Sequence, residues 1–223
     1  IDFDLEWSSR MAASVAGDES IEDFYVRTWE FPAGFRTEYP ESLLVASDAK
    51  QELATGYPLG KRFKSYRVMR RSDAHDVHLG HLHEADGRWR IYVFADEPKA
   101  DAPDSKVRAF GDWLGNSPDS PVVRHTKEGD DINSVFDVKV IYQQPHREFE
   151  LGDAPEIFRP RVGKFQLEDK NEVFGIIHHP GVPEKRDAVV PMTTNLFQKE
   201  DIFETRGISR DGARLCYCHQ SSD

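Results

Sequence analysis

The chain has 223 residues, 38% hydrophobic and 31% charged, which suits a soluble globular protein of one large or two small domains. Its net charge of −11 argues against a nucleic-acid partner, whose phosphates need a basic face, and no apolar run approaches the roughly 20 residues of a membrane helix. There is no signal-peptide pattern, and two cysteines, Cys216 and Cys218, form no disulfide framework, so a cytoplasmic location is expected.

The first residue is Ile1, and I-D-F-D-L-E-W is already helix-like, so further chain is expected before it. Phe3, Trp7 and Met11 recur every four residues, and Gly17 follows as a stop. A second helix is predicted from Ser20, an N-cap with Asp23 three residues on, as in a capping box. Ile21, Phe24, Tyr25, Thr28 and Trp29 line one face, and Pro32 and Gly34 end it. Two such helices do not bury their stripes alone, which implies a larger body upstream. Residues 1–54 carry 4 Lys/Arg against 12 Asp/Glu, net −8, whereas the remainder carries 25 against 28, net −3. The shift falls near T-G-Y-P-L-G, Thr55 to Gly60, whose turn chemistry marks a boundary.

Beyond it the periodicity changes. Tyr66 to Met69, Val77 to His83 and Arg90 to Phe94 read as strands, with Asp86-Gly87 as a hairpin turn between the last two. Asp104-Ser105 begins a helix with Val107, Phe110, Trp113 and Leu114 at helical spacing and Gly115 as its stop. Phe136 to Tyr142 is a strand, Ala154 to Phe158 a short helix with Pro155 in its first turn, and Val173 to Ile177 a buried strand. His178 to Thr194 reads as a loop. The order predicts α/β layers, a small mixed sheet flanked by helices.

Three clusters invite a chemical reading. His75, His78, His81 and His83 fall within nine residues, and on a strand His81 and His83 would share a face and ligate one metal. No cysteine is near, and a zinc site wants three or four ligands, so half-exposed strand histidines are the expectation. Cys216-Tyr217-Cys218 has one residue between the thiols, not the two of a redox pair at a helix N-terminus, so no redox role is assigned. G-Y-P-L-G-K-R, Gly56 to Arg62, has three residues between its glycines and Arg62 where a phosphate loop needs Ser or Thr. The basic run Lys61, Arg62, Lys64, Arg67, Arg70 and Arg71 reads as a solvated strand edge. No G-x-G-x-x-G or G-x-S-x-G occurs, and no catalytic, cofactor-binding or metal residue is assigned.

One block is more telling. H-L-G-H-L-H-E-A-D-G-R-W-R-I-Y-V-F-A-D, His78 to Asp96, resembles the C-terminal domain of FAD-dependent phenol 2-monooxygenases and 3-hydroxybenzoate 4-monooxygenases. Phe31, Gly34, Tyr39, Pro40 and Ser42 resemble the closing segment of that family's catalytic body, the opening helix resembles the one before it, and Asp201 to Gly212 resembles its last strand approach. Arg214 to Asp223 departs from the family's apolar strand and R-P-D-x-Y segment, and no strand is assigned to it.

The resemblance implies enzymes that use FAD and NADPH to hydroxylate phenols, with a third domain of thioredoxin-like fold that lacks the redox cysteines and serves dimer formation. Residues 1–54 would be the helical tail of the catalytic body and 55–223 the thioredoxin-like domain. The chain alone is then expected to bind no cofactor and to be inactive, its partners a second copy and its own catalytic body. A free-standing thioredoxin-like interaction module without redox activity is the alternative, and a histidine metalloenzyme a distant third. Interface anchors would come from Trp89, Arg90, Tyr92, Trp113, Tyr142 and Phe149, less those that strand alternation turns inward.

Overall fold

The computed structural model describes residue 20 and residues 38–53, 57–63, 65–177 and 214–220. Both predicted N-terminal helices and the His178–Thr194 loop lie outside the described residues. Two compact units are present: one holds the described residues up to Gln51 with 57–63, the other 52–53 and everything described from Ser65 onward.

In the first unit, Glu38 and Lys61 form an antiparallel bridge, reinforced by their ion pair at 3.3 Å and by Tyr39 N donating to Gly60 O at 2.9 Å. The Gln51 amide clamps the following turn, donating to Tyr57 O (3.2 Å) and accepting from Leu59 N (2.7 Å). Tyr57 and Phe63 stack at 5.2 Å.

The second unit is built on a six-stranded mixed sheet of order β2-β1-β7-β4-β3-β8. Its strands are β1 (Arg67–Arg70), β2 (Asp76–His78), β3 (Trp89–Phe94), β4 (Phe136–Pro145), β7 (Val173–Ile176) and β8 (Arg214–Gln220). β3, β4 and β7 run parallel at the centre; β1 and β2 extend one side antiparallel, and β8 pairs antiparallel with β3 on the other. A parallel pair needs a crossover connection. Here it contains α1 (Lys106–Asn116) and α2 (Pro121–His125). A separate hairpin joins β5 (Arg161–Val162) to β6 (Leu167–Glu168).

Register explains the core. Ile91 lies opposite Val138, Val93 opposite Val140, and Val140 opposite Val173, so these side chains share one face. Val107 and Leu114 of α1, Val122 of α2, and Ala154, Ile157 and Phe158 close over it. Gly111 lets α1 reach that last segment: a Cβ there would sit 2.8 Å from the Pro155 ring.

The strands at 66–69, 90–94, 136–142 and 173–177, and the helix after Ser105, appear within a few residues of their predicted bounds. Gly115 lies inside α1 instead of ending it, and the segment after Pro155 is a 3-10 turn, Glu156–Phe158. Asp86-Gly87 does turn, with Gly87 at φ +75°, but no hairpin results: among the described strands β2 pairs only with β1, and β3 lies at the sheet's other side. The strand predicted over Val77–His83 stops at His78 and becomes a 3-10 turn, Leu79–Leu82. Leu79 N donates to Tyr66 O and Gly80 N to Ser65 Oγ, both at 2.9 Å, which pulls the chain off the sheet. β1 is also not an edge, since β2 and β7 flank it. Its arginines are paired: Arg67 with Asp76 and Arg70 with Asp73, while Arg71, just beyond, pairs with Glu150. The Arg70 hydrogen bond holds the Asp73 carboxyl down at about 2.

Candidate functional site

In a parallel strand-turn-helix unit, the helix N-terminus is the natural place for anion or thiolate chemistry, because unpaired amides and the helix dipole meet there. In this chain it is sealed from within. Asp96, just past β3 and buried, accepts from Lys106 N (2.8 Å), Val107 N (3.1 Å) and Ser105 Oγ (3.3 Å). Ser105 adds its own cap, accepting from Arg108 N at 3.3 Å. A fixed carboxylate thus occupies the position that a phosphate or a reactive thiolate would use. Nearby, the Tyr142 hydroxyl is buried without a hydrogen bond among the described residues; burial raises it far above the usual tyrosine range, with Arg108 opposing.

The opposite face of the sheet carries a row of buried charge. Arg90 lies opposite Asp137, and Lys139 follows two residues on, on the same face. Lys139 bonds Asp137 (2.8 Å) and Glu172, and the Arg90 guanidinium lies 3.3 Å from Asp137. The loop before β3 folds over this row. Arg90 donates to both Asp86 oxygens (2.6 and 2.7 Å), to Arg88 O (2.8 Å) and to Glu84 O (3.1 Å). Burial works to raise the Asp86 carboxyl, but hydrogen bonds from Arg90 and Arg88 outweigh it and hold the group well below the usual range. Glu172 goes the other way: burial raises it, against the pull of Lys139. Each charge in the row has an opposite charge beside it, although Asp137 Oδ1 is buried without a hydrogen bond among the described residues.

The histidines separate. His78 and His81 face each other with ring centroids 5.0 Å apart, while His83 turns away to bond the buried Tyr92 hydroxyl. The expected sharing of a strand face by His81 and His83 therefore fails, because the 3-10 turn replaces strand alternation. Burial, then His81 and Arg67, lowers His78. Among the described residues, no three His, Cys, Asp or Glu side chains gather as a metal site would require. Cys218 pairs in register with Ile91, and Cys216 falls at the irregularity between Tyr92 and Val93 of β3. Both lie on strand β8, to which the sequence reading assigned no strand.

The interface anchors also need correction. Arg90, Tyr92, Tyr142 and Phe149 are buried within the chain itself, Trp89 is half-buried, and only Trp113 is substantially exposed, at 43%. Alternation failed as a guide because the central parallel strands are covered on both faces. Sequence reasoning missed the exposed apolar pair of the β5–β6 hairpin, Phe165 and Leu167, whose signal was a Gly-Lys turn between two short runs. Beside that hairpin lies a cleft of about 670 Å³, bounded by α1, residues 129–132 and residues 156–161.

Comparison with known proteins fits a chain whose buried charges are paired with one another. A family model described as the phenol hydroxylase C-terminal dimerisation domain matches residues 37–215. The 3-hydroxybenzoate 4-monooxygenase of Comamonas testosteroni is 34% identical over 96% of this chain and 32% of its own length. The FAD-dependent monooxygenase terD of Aspergillus terreus is 26% identical over 78% of the chain and 30% of its own length. The phenol 2-monooxygenase fsqG of Aspergillus fumigatus is 27% identical over 51% of the chain and 20% of its own length. The chain thus spans a third or less of each relative, and it belongs to the phenol hydroxylase C-terminal dimerisation domain family.

Proposed function

We propose that this chain is the C-terminal portion of an FAD- and NADPH-dependent aromatic hydroxylase acting on phenols, and that its part is structural: it joins two copies into a homodimer. The family match over residues 37–215 carries this reading. Relatives about three times as long, named as monooxygenases, favour it over a free-standing module. The described residues do not fit a flavin. The helix N-terminus that would face a pyrophosphate is filled by Asp96, so no catalytic step is assigned to this chain.

In this reading residues 1–54 close the catalytic body and 55–223 form a thioredoxin-like dimerisation domain. The parallel β3–α1–β4 unit in a mixed sheet supports that fold. No described helix is long and apolar enough to cross a membrane, the net charge of −11 disfavours nucleic acid, and the two cysteines suit the cytoplasm.

The test compares the full-length protein with a version ending at residue 54. The full-length protein is expected to be a yellow dimer that consumes NADPH with a phenol. The shortened one should keep its flavin and sediment as a monomer. A colourless full-length protein, or a shortened one that stays dimeric, overturns the proposal.

A further inference from the structure

The β5–β6 hairpin presents Phe165 at 77% and Leu167 at 67% exposure. A two-stranded ribbon is marginal alone, yet this one is tied on every side. Asp131 accepts from Gly163 N (2.8 Å) and Gln166 Nε2 (3.1 Å). Gln166 N and Nε2 each donate to Gly163 O at 3.0 Å, Asp169 N donates to Pro160 O at 2.8 Å, and Arg159 pairs with Glu168. These bonds hold Gln166 at φ +48°, a left-handed conformation that a non-glycine residue adopts only when its surroundings impose it. The apolar tip is therefore fixed before it meets anything, which lowers the ordering cost of binding.

The neighbouring cleft complements that tip. Asp112, Asp130 and Glu156 line it as exposed carboxylates that form no ion pair among the described residues. On the hairpin tip, Lys164 is an exposed cation that also lacks a carboxylate partner among the described residues, and its Nζ lies 5.9 Å over the Phe165 ring; Arg161, at the hairpin's base, lines the cleft itself, where carboxylates outnumber cations. One patch thus carries both a basic apolar knob and an acidic socket.

We propose that a second copy of this chain is the occupant: each protomer seats its Lys164–Phe165 tip in the cleft of the other about a two-fold axis. An isologous contact needs a self-complementary patch, and knob and socket side by side provide one. The cleft is lined by 15 residues, which with the tip approaches the roughly 20–30 residues a side of a stable interface. Phe165, ringed by charge, has the character of a central anchor.

The inference rests on the homodimer reading above, and sedimentation velocity of the full-length protein across a concentration series separates the two. The double variant F165D/L167D is expected to raise the dimer Kd by at least about 100-fold. K164E should raise it about tenfold, and adding D130K and E156K to K164E should restore it, a recovery that misfolding does not produce. A wild-type dimer whose Kd none of these variants moves overturns the inference and leaves the homodimer standing. So do hairpin variants that stay dimeric but shed flavin, since the tip would then dock on the catalytic body. A wild-type protein that is monomeric throughout overturns both, and no variant is needed to see it.

Discussion

Replacing Asp96 tests whether the sealed helix N-terminus contributes to stability. In the wild-type chain its carboxylate takes the amides of Lys106 and Val107. Lys106 is exposed and its amide regains water when the carboxylate goes; Val107 is fully buried and its amide does not. Losing a cap costs about 1 kcal/mol. A stranded buried donor adds about 1–3 kcal/mol. Asp96→Ala should therefore destabilise by about 2–4 kcal/mol, and Asp96→Asn, which keeps one acceptor, by about half as much. At roughly 2–4 °C per kcal/mol for a domain of this size, the alanine variant should melt about 9 °C lower. Urea unfolding followed by circular dichroism measures the free energies, and calorimetry the midpoints. An alanine variant within 0.5 kcal/mol of wild type, the margin typical of a featureless surface site, would refute the assignment, as would an asparagine variant equally damaged.

Arg90→Met takes its main partner from Asp86, which is itself exposed, while Asp137 keeps Lys139 at 2.8 Å, so a loss of about 1–3 kcal/mol is expected in urea titration; a loss below about 0.5 kcal/mol would mean that the row is solvated. Gly111→Ala brings a methyl to 2.8 Å from the Pro155 ring and 2.9 Å from Phe158. Overpacking of about 1–3 kcal/mol outweighs a helix-propensity gain of about 1, for a net loss near 1 kcal/mol; a more stable variant would show that the segment yields. Glu172 has a folded-state pKa raised above its ordinary 4.5 by burial, with Lys139 opposing. Its contribution is therefore fully present below pH 4.5 and lost as pH rises through the folded value. Glu172→Gln, neutral throughout, should gain on wild type as pH climbs from 4.5; parallel stability profiles would contradict this.

How much of this was readable in the sequence depended on how local each cause is. W-R-I-Y-V-F and F-D-V-K-V-I-Y announce strands through their own β-branched and aromatic residues, and Ser105 announces a helix start. The family resemblance rested on the stretch that folds into the loop and β3, and the comparisons agree with it. Val77 to His83 misled because its apolar alternation is that of a strand, while the residues that bend it away, Ser65 and Tyr66, lie more than ten positions earlier. Arg90 looked like an outward side chain because its partner Asp137 is 47 residues away and meets it only in the β3–β4 register. α2, five residues long, is too short to show a period. The hairpin at 161–168 depends on a left-handed glutamine that Asp131 holds from a distant loop.

The charged row also bears on why this sheet has one register. With β3 slipped by one residue against β4, Arg90 would face Val138 and Ile91 would face Lys139. Each slip buries an unpaired charge, a penalty that apolar residues at these positions would not impose. The interior thus uses polar groups to specify a single arrangement, and every charge in the row has its counter-charge inside the chain. The surface shows the reverse. Phe165 and Leu167 stand in water on a hairpin held rigid by several hydrogen bonds, beside carboxylates that form no ion pair among the described residues. Holding apolar side chains in solvent on a strained turn costs stability in an isolated molecule. Burial against another protein surface recovers that cost, so the place to look for this chain's activity is its exposed hairpin and not its charge-paired interior.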